Sequence, residues 1–291
     1  MKVAIYYFSG TGNTELTVKK WASEAEKNNI QCDLFRFEEI TDMKIDISGY
    51  DKVGIAYPIH AFNAPRIVLK SAKKIVKSKT IKPFFTIMVS GEYMNLNHSS
   101  HLKLMSILKK RNLFLESEYH YLMPYNMIFR HTEKRAFDMF KTMNSLVELD
   151  VVDYLVNGKL HRLNKHKWAR PIIWTFRIEQ VYGPFYGKML RINKDKCIKC
   201  MKCVNSCPLQ NIEFKNDKFK FHWQCTLCAR CSFNCPTNAF FTGFLQLWKV
   251  NGKYKFSEPK EVEIDKHPKY CKKSYIRYYK EAADRLGTEQ K

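Results

Sequence analysis

The chain has 291 residues, 45% of them hydrophobic and 14% aromatic, with only 11 Gly and 10 Pro; it can bury a sizeable core, is neither disordered nor collagen-like, and is long enough for two domains. No run approaches about 18 consecutive apolar residues, which excludes a transmembrane helix, and the run from Lys2 to Phe8 is too short and polar-flanked for a signal segment, so a cytoplasmic location is expected. Lys and Arg number 50 against 28 Asp and Glu, a net +22; residues 1–150 carry +6 (22 against 16) and residues 151–291 the remaining +16 (28 against 12), a field that suits acidic proteins, nucleic acid or an anionic membrane surface.

From the start, apolar runs alternate with helical patterns, the signature of a parallel sheet covered by helices. Strands are predicted over Val3–Phe8, Gln31–Phe37, Asp51–Tyr57, Pro83–Ser90 and Leu113–Leu122, and helices over residues 13–28, 64–78 and 98–111. A fourth helix is read from Ala136, Phe140, Met143, Val147, Val151 and Leu155, which form one apolar stripe and close a first domain, residues 1–157, at Asn157-Gly158. Residues 158–189 read as a linker. Between Asp153 and Asp195 stand nine Lys or Arg and one acid, Glu179, interleaved with Trp168, Trp174, Phe176, Tyr182, Phe185 and Tyr186. Such a mixture can bind nucleic acid or a membrane surface, but no recognised nucleic-acid motif accompanies it. The simpler expectation is a helix that packs its aromatics between two domains, with nucleic acid no partner. Residues 190–243 hold a cysteine-rich module. In residues 244–291, Leu245–Val250 and Lys253–Phe256 flank Asn251-Gly252, a hairpin signal, and a basic helix is expected after Tyr270, packed against the domains.

Eight of the ten cysteines lie between 197 and 235, which reads as metal ligation in a reducing compartment. Cys197-x2-Cys200-x2-Cys203-x3-Cys207-Pro208 is followed by Cys225-x2-Cys228-x2-Cys231-x3-Cys235-Pro236, an internal repeat of identical spacing. Three thiolates at intervals of three residues can wrap three corners of a cubane from one loop, while the fourth points toward a second cluster. Structural zinc would leave the third cysteine of each triplet and both Cys-Pro steps without a reason. The run resembles that of bacterial two-cluster ferredoxins. By that resemblance Cys197, Cys200, Cys203 and Cys235 hold one 4Fe-4S cluster, and Cys225, Cys228, Cys231 and Cys207 the other. Cys32 and Cys271 lack partner spacing and are given no role. Lys194, Lys196, Lys199, Lys202 and Arg230 stand where ferredoxins commonly carry acids; positive charge stabilises a reduced cluster, so less negative potentials are expected.

Ser9-Gly10-Thr11-Gly12-Asn13-Thr14 directly follows the first strand and opens a helix. Helix-terminal N–H groups and three hydroxyls supply phosphate donors without a cation, and the glycines let the backbone approach the ligand. Glu15 stands where the third glycine of a dinucleotide fingerprint belongs, and no Gly-Lys-Ser/Thr follows to make a P-loop. The run Ile5–Thr14 resembles the flavodoxin signature, with Val18 and Trp21 in place of the usual alanine and aliphatic residue. Together with the cysteine repeat, the chain resembles the flavodoxin–ferredoxin fusion proteins of anaerobes.

That resemblance implies an α/β flavodoxin-like, doubly wound, five-stranded parallel sheet in the order 2-1-3-4-5, followed by an α+β two-cluster ferredoxin domain, with FMN outside the carboxyl ends of strands one and three. Implied flavin contacts are Ser9, Gly10, Thr11, Gly12, Asn13 and Thr14 in the first loop and Tyr57, Pro58, Ile59, His60, Ala61 and Phe62 after the third strand. Ser90, Gly91, Glu92 and Tyr93 after the fourth strand, and Asn126 after the fifth, complete the set. Tyr57, His60, Phe62 and Tyr93 are stacking candidates, and His60 is also a candidate proton donor to flavin N5. Flavodoxins often place a glycine beside the flavin edge, yet none occurs between Gly54 and Gly91.

No nicotinamide fingerprint, catalytic triad or metal-hydrolase motif is visible. The expected function is therefore electron transfer between FMN, two 4Fe-4S clusters and an external acidic redox protein or oxidoreductase. A flavin-dependent reductase of a small electrophile or quinone, and a redox sensor acting through its basic surface, are the alternatives.

Overall fold

The structure, a computed structural model, describes residues 1–40, 43–259 and 269–288. Its first half alternates strand and helix: β1 (Lys2–Tyr7), α1 (Asn13–Lys27), β2 (Gln31–Arg36), β3 (Lys52–Pro58), α2 (Arg66–Ala72), β4 (Lys82–Ser90), α3 (Leu102–Lys109), β5 (Leu113–Leu122) and α4 (Glu133–Val151). The strands form one parallel sheet in the order β2-β1-β3-β4-β5, which is the flavodoxin-like order. Because side chains alternate along a strand, Val3, Ile5 and Tyr7 face one hydrophobic layer and Ala4 and Tyr6 the other. The first layer, beneath α1 and α4, centres on fully buried Trp21, which stacks on Phe85 at 5.3 Å and donates from Nε1 to Tyr121 Oη at 3.1 Å. The second, beneath α2 and α3, gathers Phe37, Ile55, Tyr57, Val68 and Leu104.

Local chemistry explains the helix ends. Thr132 caps α4, its Oγ1 accepting from the Arg135 amide at 3.1 Å. Asn29, with φ +58°, ends α1 in the left-handed conformation that asparagine tolerates. A π-helical turn, Val152–Val156, extends α4 to Asn157, where the apolar stripe stops. Two helices are shorter than their sequence patterns. After α2 the chain returns extended, and Val76 donates to Ile45 O at 2.9 Å; the third helix divides into a 3-10 turn, Asn97–Ser99, and α3.

The linker forms α5 (Ala169–Thr175) and α6 (Ile178–Met189). The cysteine-rich module then pairs β6 (Arg191–Ile192) with β9 (Phe240–Phe241), and β7 (Ile212–Lys215) with β8 (Lys218–Phe221), both antiparallel, around the short helices α7 (Lys202–Asn205) and α8 (Arg230–Phe233). A final helix, α9 (Lys269–Leu286), returns to the first half and packs on α4, where Arg285 pairs with buried Asp150.

Two expectations are corrected. The hairpin about Asn251-Gly252 does not form: Gly243–Trp248 is a 3-10 helix, and the Asn251 amide donates to Ser232 O at 2.7 Å and Cys235 O at 2.9 Å. The turn residues thus clamp the second cysteine loop instead of reversing a strand pair. Of the six linker aromatics named above only Tyr186 is buried, whereas Trp168, Trp174, Phe176, Tyr182 and Phe185 are exposed. The tail helix does pack on the first half; residues 260–268 and 289–291 of the tail lie outside the described residues.

Candidate functional site

The cysteine repeat is also a repeat of conformation. Lys199 and Leu227 have φ +49° and +51°, Met201 and Ala229 both +56°, and Gln210 and Asn238 both +50°. These left-handed residues bend each loop so that backbone N–H groups turn inward, the concave arrangement that cradles anionic centres. Accordingly Asn211 N donates to Cys207 Sγ at 3.2 Å and Ala239 N to Cys235 Sγ at 3.3 Å. Bonds of this kind to cluster sulfur help set reduction potential.

The loops enclose two cavities. One is bordered by Cys197, Cys200, Cys203 and Cys235, with Ile192, Phe219 and Phe240. The other is bordered by Cys225, Cys228, Cys231 and Cys207, with Tyr186, Leu190 and Leu245. In each cavity four cysteines line an enclosed space, the donor set that a cubane requires. Burial pushes the Cys228 thiol up to about 11 despite the opposing Arg230 charge, and it raises Cys203 to about 11. The donor set and its enclosure therefore fit iron–sulfur clusters.

The second cavity adjoins the first half directly. A Cβ at Gly10 would lie 2.6 Å from Cys228 O, so the glycine permits this contact. Arg230, on α8 between the two cysteines Cys228 and Cys231, donates to Ser9 O at 2.6 Å, Gly10 O at 2.9 Å and Ser206 O at 2.8 Å, and pairs with Glu38 at 2.8 Å. Asn126 borders the same cavity and donates to Thr11 Oγ1. On the other side, α6 crosses Cys225 through two glycines: added Cβ atoms would meet Cys225 O at 2.7 Å from Gly183 and Cys225 Cβ at 2.8 Å from Gly187.

The loop of residues 9–14 enters α1 through Gly12 at φ +114°, and α1 has no side-chain cap. Ser9 Oγ accepts from Gly12 N and Glu15 N, each at 3.2 Å, while Asn13 Nδ2 donates to Pro124 O at 2.8 Å. Thr14 is buried and its Oγ1 has no partner. The left-handed Gly12 entry to α1, beside a buried hydroxyl with no partner among the described residues, fits a phosphate.

The residues expected around the flavin ring are engaged in contacts of their own. Tyr57 is fully buried, its Oη 3.1 Å from Ser100 Oγ. Tyr93 lies beneath α9, stacked on His120 at 5.1 Å and donating to Glu281 Oε2 at 2.7 Å. Ser90 Oγ bonds Glu92 O and His120 Nε2, Gly91 packs under the Tyr125 ring with its carbonyl accepting from Tyr275 Oη, and Glu92 is buried. This loop thus belongs to the α9 contact. Pro58 ends β3, and Ile59 N donates to Val89 O. His60 and Asn63 exchange backbone bonds at 2.9 and 2.8 Å, which forces Ala61 and Phe62 to φ +42° and +62°. Two side-chain-bearing residues thus occupy a turn where glycine costs least. Phe62 meets Phe176 edge-on at 5.3 Å, and buried Asn63 donates to Ile173 O at 3.2 Å, fastening the linker over this turn.

Sequence reasoning had no place for Glu38, Gly183, Gly187 or Asn251 as supports of the site, and it noted Arg230 only as a charge. Two glycines four apart in an aromatic helix were the one available signal of close approach.

Residues 189–236 match the family model described as a 4Fe-4S dicluster domain. A ferredoxin of Methanothermococcus thermolithotrophicus is 40% identical over 52 residues, which are 16% of this chain and 87% of that protein. The chain belongs to the ferredoxins, its ferredoxin module fused to a half with the flavodoxin-like strand order. The fusion is also similar to the putative electron transport protein YccM of Escherichia coli K12, at 27% identity over 139 residues, 46% of this chain and 36% of that protein; it thus spans about a third of that relative's length. Among solved structures, an archaeal flavodoxin covers 54% of this chain and 99% of its own at 10% identity and a TM-score of 0.34. The general stress protein 14 of Treponema denticola, solved in complex with FMN, covers 53% of this chain and 95% of its own at 11% identity and a TM-score of 0.37. In the fusion the flavodoxin-like half rests on its own strand order, and no helix among the described residues is long and apolar enough to cross a membrane.

Proposed function

We propose that the fusion relays electrons between FMN seated on residues 9–14 and two 4Fe-4S clusters, and exchanges them with an external acidic redox protein. The observation that carries this reading is the Arg230 contact, because one side chain ties the loop that suits a phosphate to the helix between two cysteines of the second cavity. Flavin exchanges one or two electrons and each cluster one; the protein supplies position and electrostatics.

Each residue then has a defined task. Thr14 Oγ1 and the first amides of α1 hold the phosphate, and Gly10 keeps the loop within contact of Cys228. Cys225, Cys228, Cys231 and Cys207 hold the cluster nearer the loop. Cys197, Cys200, Cys203 and Cys235 hold the farther one, whose cavity borders no residue of the first half. Cys200 is exposed, which makes the farther cluster the port to a partner. Lys196 and Lys202 beside it favour an acidic surface, while Lys199 is paired with Asp217 at 2.6 Å.

Anaerobic purification followed by iron, sulfide and flavin analysis tests the reading. About eight iron, about eight sulfide and about one FMN per chain are expected; cluster-replete protein that takes up no flavin would remove the relay, and protein without iron would remove the proposal entirely.

A further inference from the structure

The outer face of the ferredoxin half carries an apolar surface that the relay does not use. On α6, Phe185 is 58% exposed and Tyr182 and Met189 are also exposed. Phe185 meets exposed Trp223 edge-on at 5.2 Å. Tyr186 connects α6 to Phe244 at 5.5 Å, and Met189 lies 3.6 Å from the Cβ position of Gly243. The 3-10 helix Gly243–Trp248 continues the surface with Phe244, Leu247 at 92% exposure, and Trp248. The patch is therefore contiguous, far beyond the isolated apolar residues that any surface shows.

Its charge is one-sided. Residues 181–191 and 243–250 contain Lys188, Arg191 and Lys249 and no Asp or Glu. Lys188 Nζ lies 5.6 Å from the Trp223 ring centroid, at the edge of the apolar area. Exposed Trp, Phe, Tyr and Leu beside Lys188, Arg191 and Lys249 form the composition of an interfacial membrane anchor: aromatics settle at headgroup level, and long cationic side chains reach the anionic phosphates. A protein partner of matching charge would have to place acids around a wide apolar centre, whereas an anionic bilayer presents both features by its nature.

We infer that this face docks the protein onto an anionic lipid surface, peripherally. The face overlies the cavity of Cys225, Cys228, Cys231 and Cys207, since α6 crosses Cys225 and Leu245 and Trp248 border that cavity. Docking leaves the two halves joined as described and does not depend on the flavin.

The test is anaerobic flotation of the full-length, cluster-loaded protein with phosphatidylglycerol–phosphatidylcholine vesicles and with phosphatidylcholine alone. The parent protein is expected to float with the anionic vesicles at low salt and to float at least tenfold less with the neutral ones. The double variant Phe185→Asp/Leu247→Asp is expected to lose at least tenfold of the bound fraction with iron content unchanged. Ile81→Asp, which makes the same kind of change at a 75% exposed site on the sheet half, is expected to float like the parent. Absence of flotation with anionic vesicles, or equal flotation of the parent and the double variant, would overturn the inference. So would vesicle-free self-association that the double variant abolishes, which would assign the face to a second copy of the chain.

Discussion

The two halves of this protein are stabilised by different means. The flavodoxin-like half is a five-stranded sheet between two large apolar layers, with Trp21, Phe85, Tyr119 and Tyr154 in mutual ring contact. The ferredoxin half has a core of six buried hydrophobic residues, and five cysteines are among the side chains packed against it. Its two sheets have two strands each. Apolar burial can hold the first together, whereas a module so small and so rich in inward thiols depends on what the thiols bind.

The largest effect expected from this contrast is that of cluster loss. Anaerobic chelation of iron, or Cys231→Ser, should open residues 190–250 to protease while the first half persists as a resistant fragment; simultaneous loss of both halves would break the comparison. Trp21→Ala acts from the other side. By removing a fully buried ring it should cost the first half about 3–5 kcal/mol in denaturant unfolding, with the iron content of folded protein unchanged.

A smaller change sharpens the boundary between the halves. Arg230→Gln leaves the carbonyls of Ser9 and Gly10 without their partner and Glu38 with Arg36 alone, so about 2 kcal/mol of coupling should disappear. Calorimetry should then resolve two transitions where the parent shows one or a narrow pair, and an unchanged thermogram would mean that the contact carries no coupling.

The most gradual effect is a pH dependence of the first half. Burial lowers His98 to about 4, partly offset by its bond to Asn164 O, and lowers His120 well below the ordinary range. Both rings pack on Tyr93 beneath α9. A histidine whose folded-state pKa is depressed contributes stability above its unfolded value near 6.5, and that stability is lost as pH falls toward the folded value. The stability of the flavodoxin-like half, followed through Trp21 emission, should decline below pH 6.5 by on the order of 1 kcal/mol per pH unit and per histidine. A flat profile from pH 6.5 to 5 would count against the assignment.

Much of this was legible in the residues themselves. The five strands lie within a residue of the apolar runs that signalled them, because an alternating or continuous apolar segment can be buried in few ways. The cysteine spacing was equally direct: the repeat separates its loops by a constant interval, and the backbone repeats with it. Asn251-Gly252 misled because its turn chemistry is real but is used to bind carbonyls of Ser232 and Cys235, which the local pattern does not contain. Tyr93 was placed near the flavin by its position after β4, yet α9, which arrives from the far end of the chain, covers it.

Sequence alone thus determined the α/β alternation, the glycine loop and the eight-cysteine repeat, since each depends on periodicity or spacing over a few neighbouring residues. Only the tertiary structure decided that Arg230 reaches Ser9 across 221 positions, that α9 buries Tyr93, and that of the linker aromatics Tyr186 turns inward while the others face outward. Those outcomes depend on how separate surfaces meet, and contacts between distant segments leave no period in the chain from which to read them.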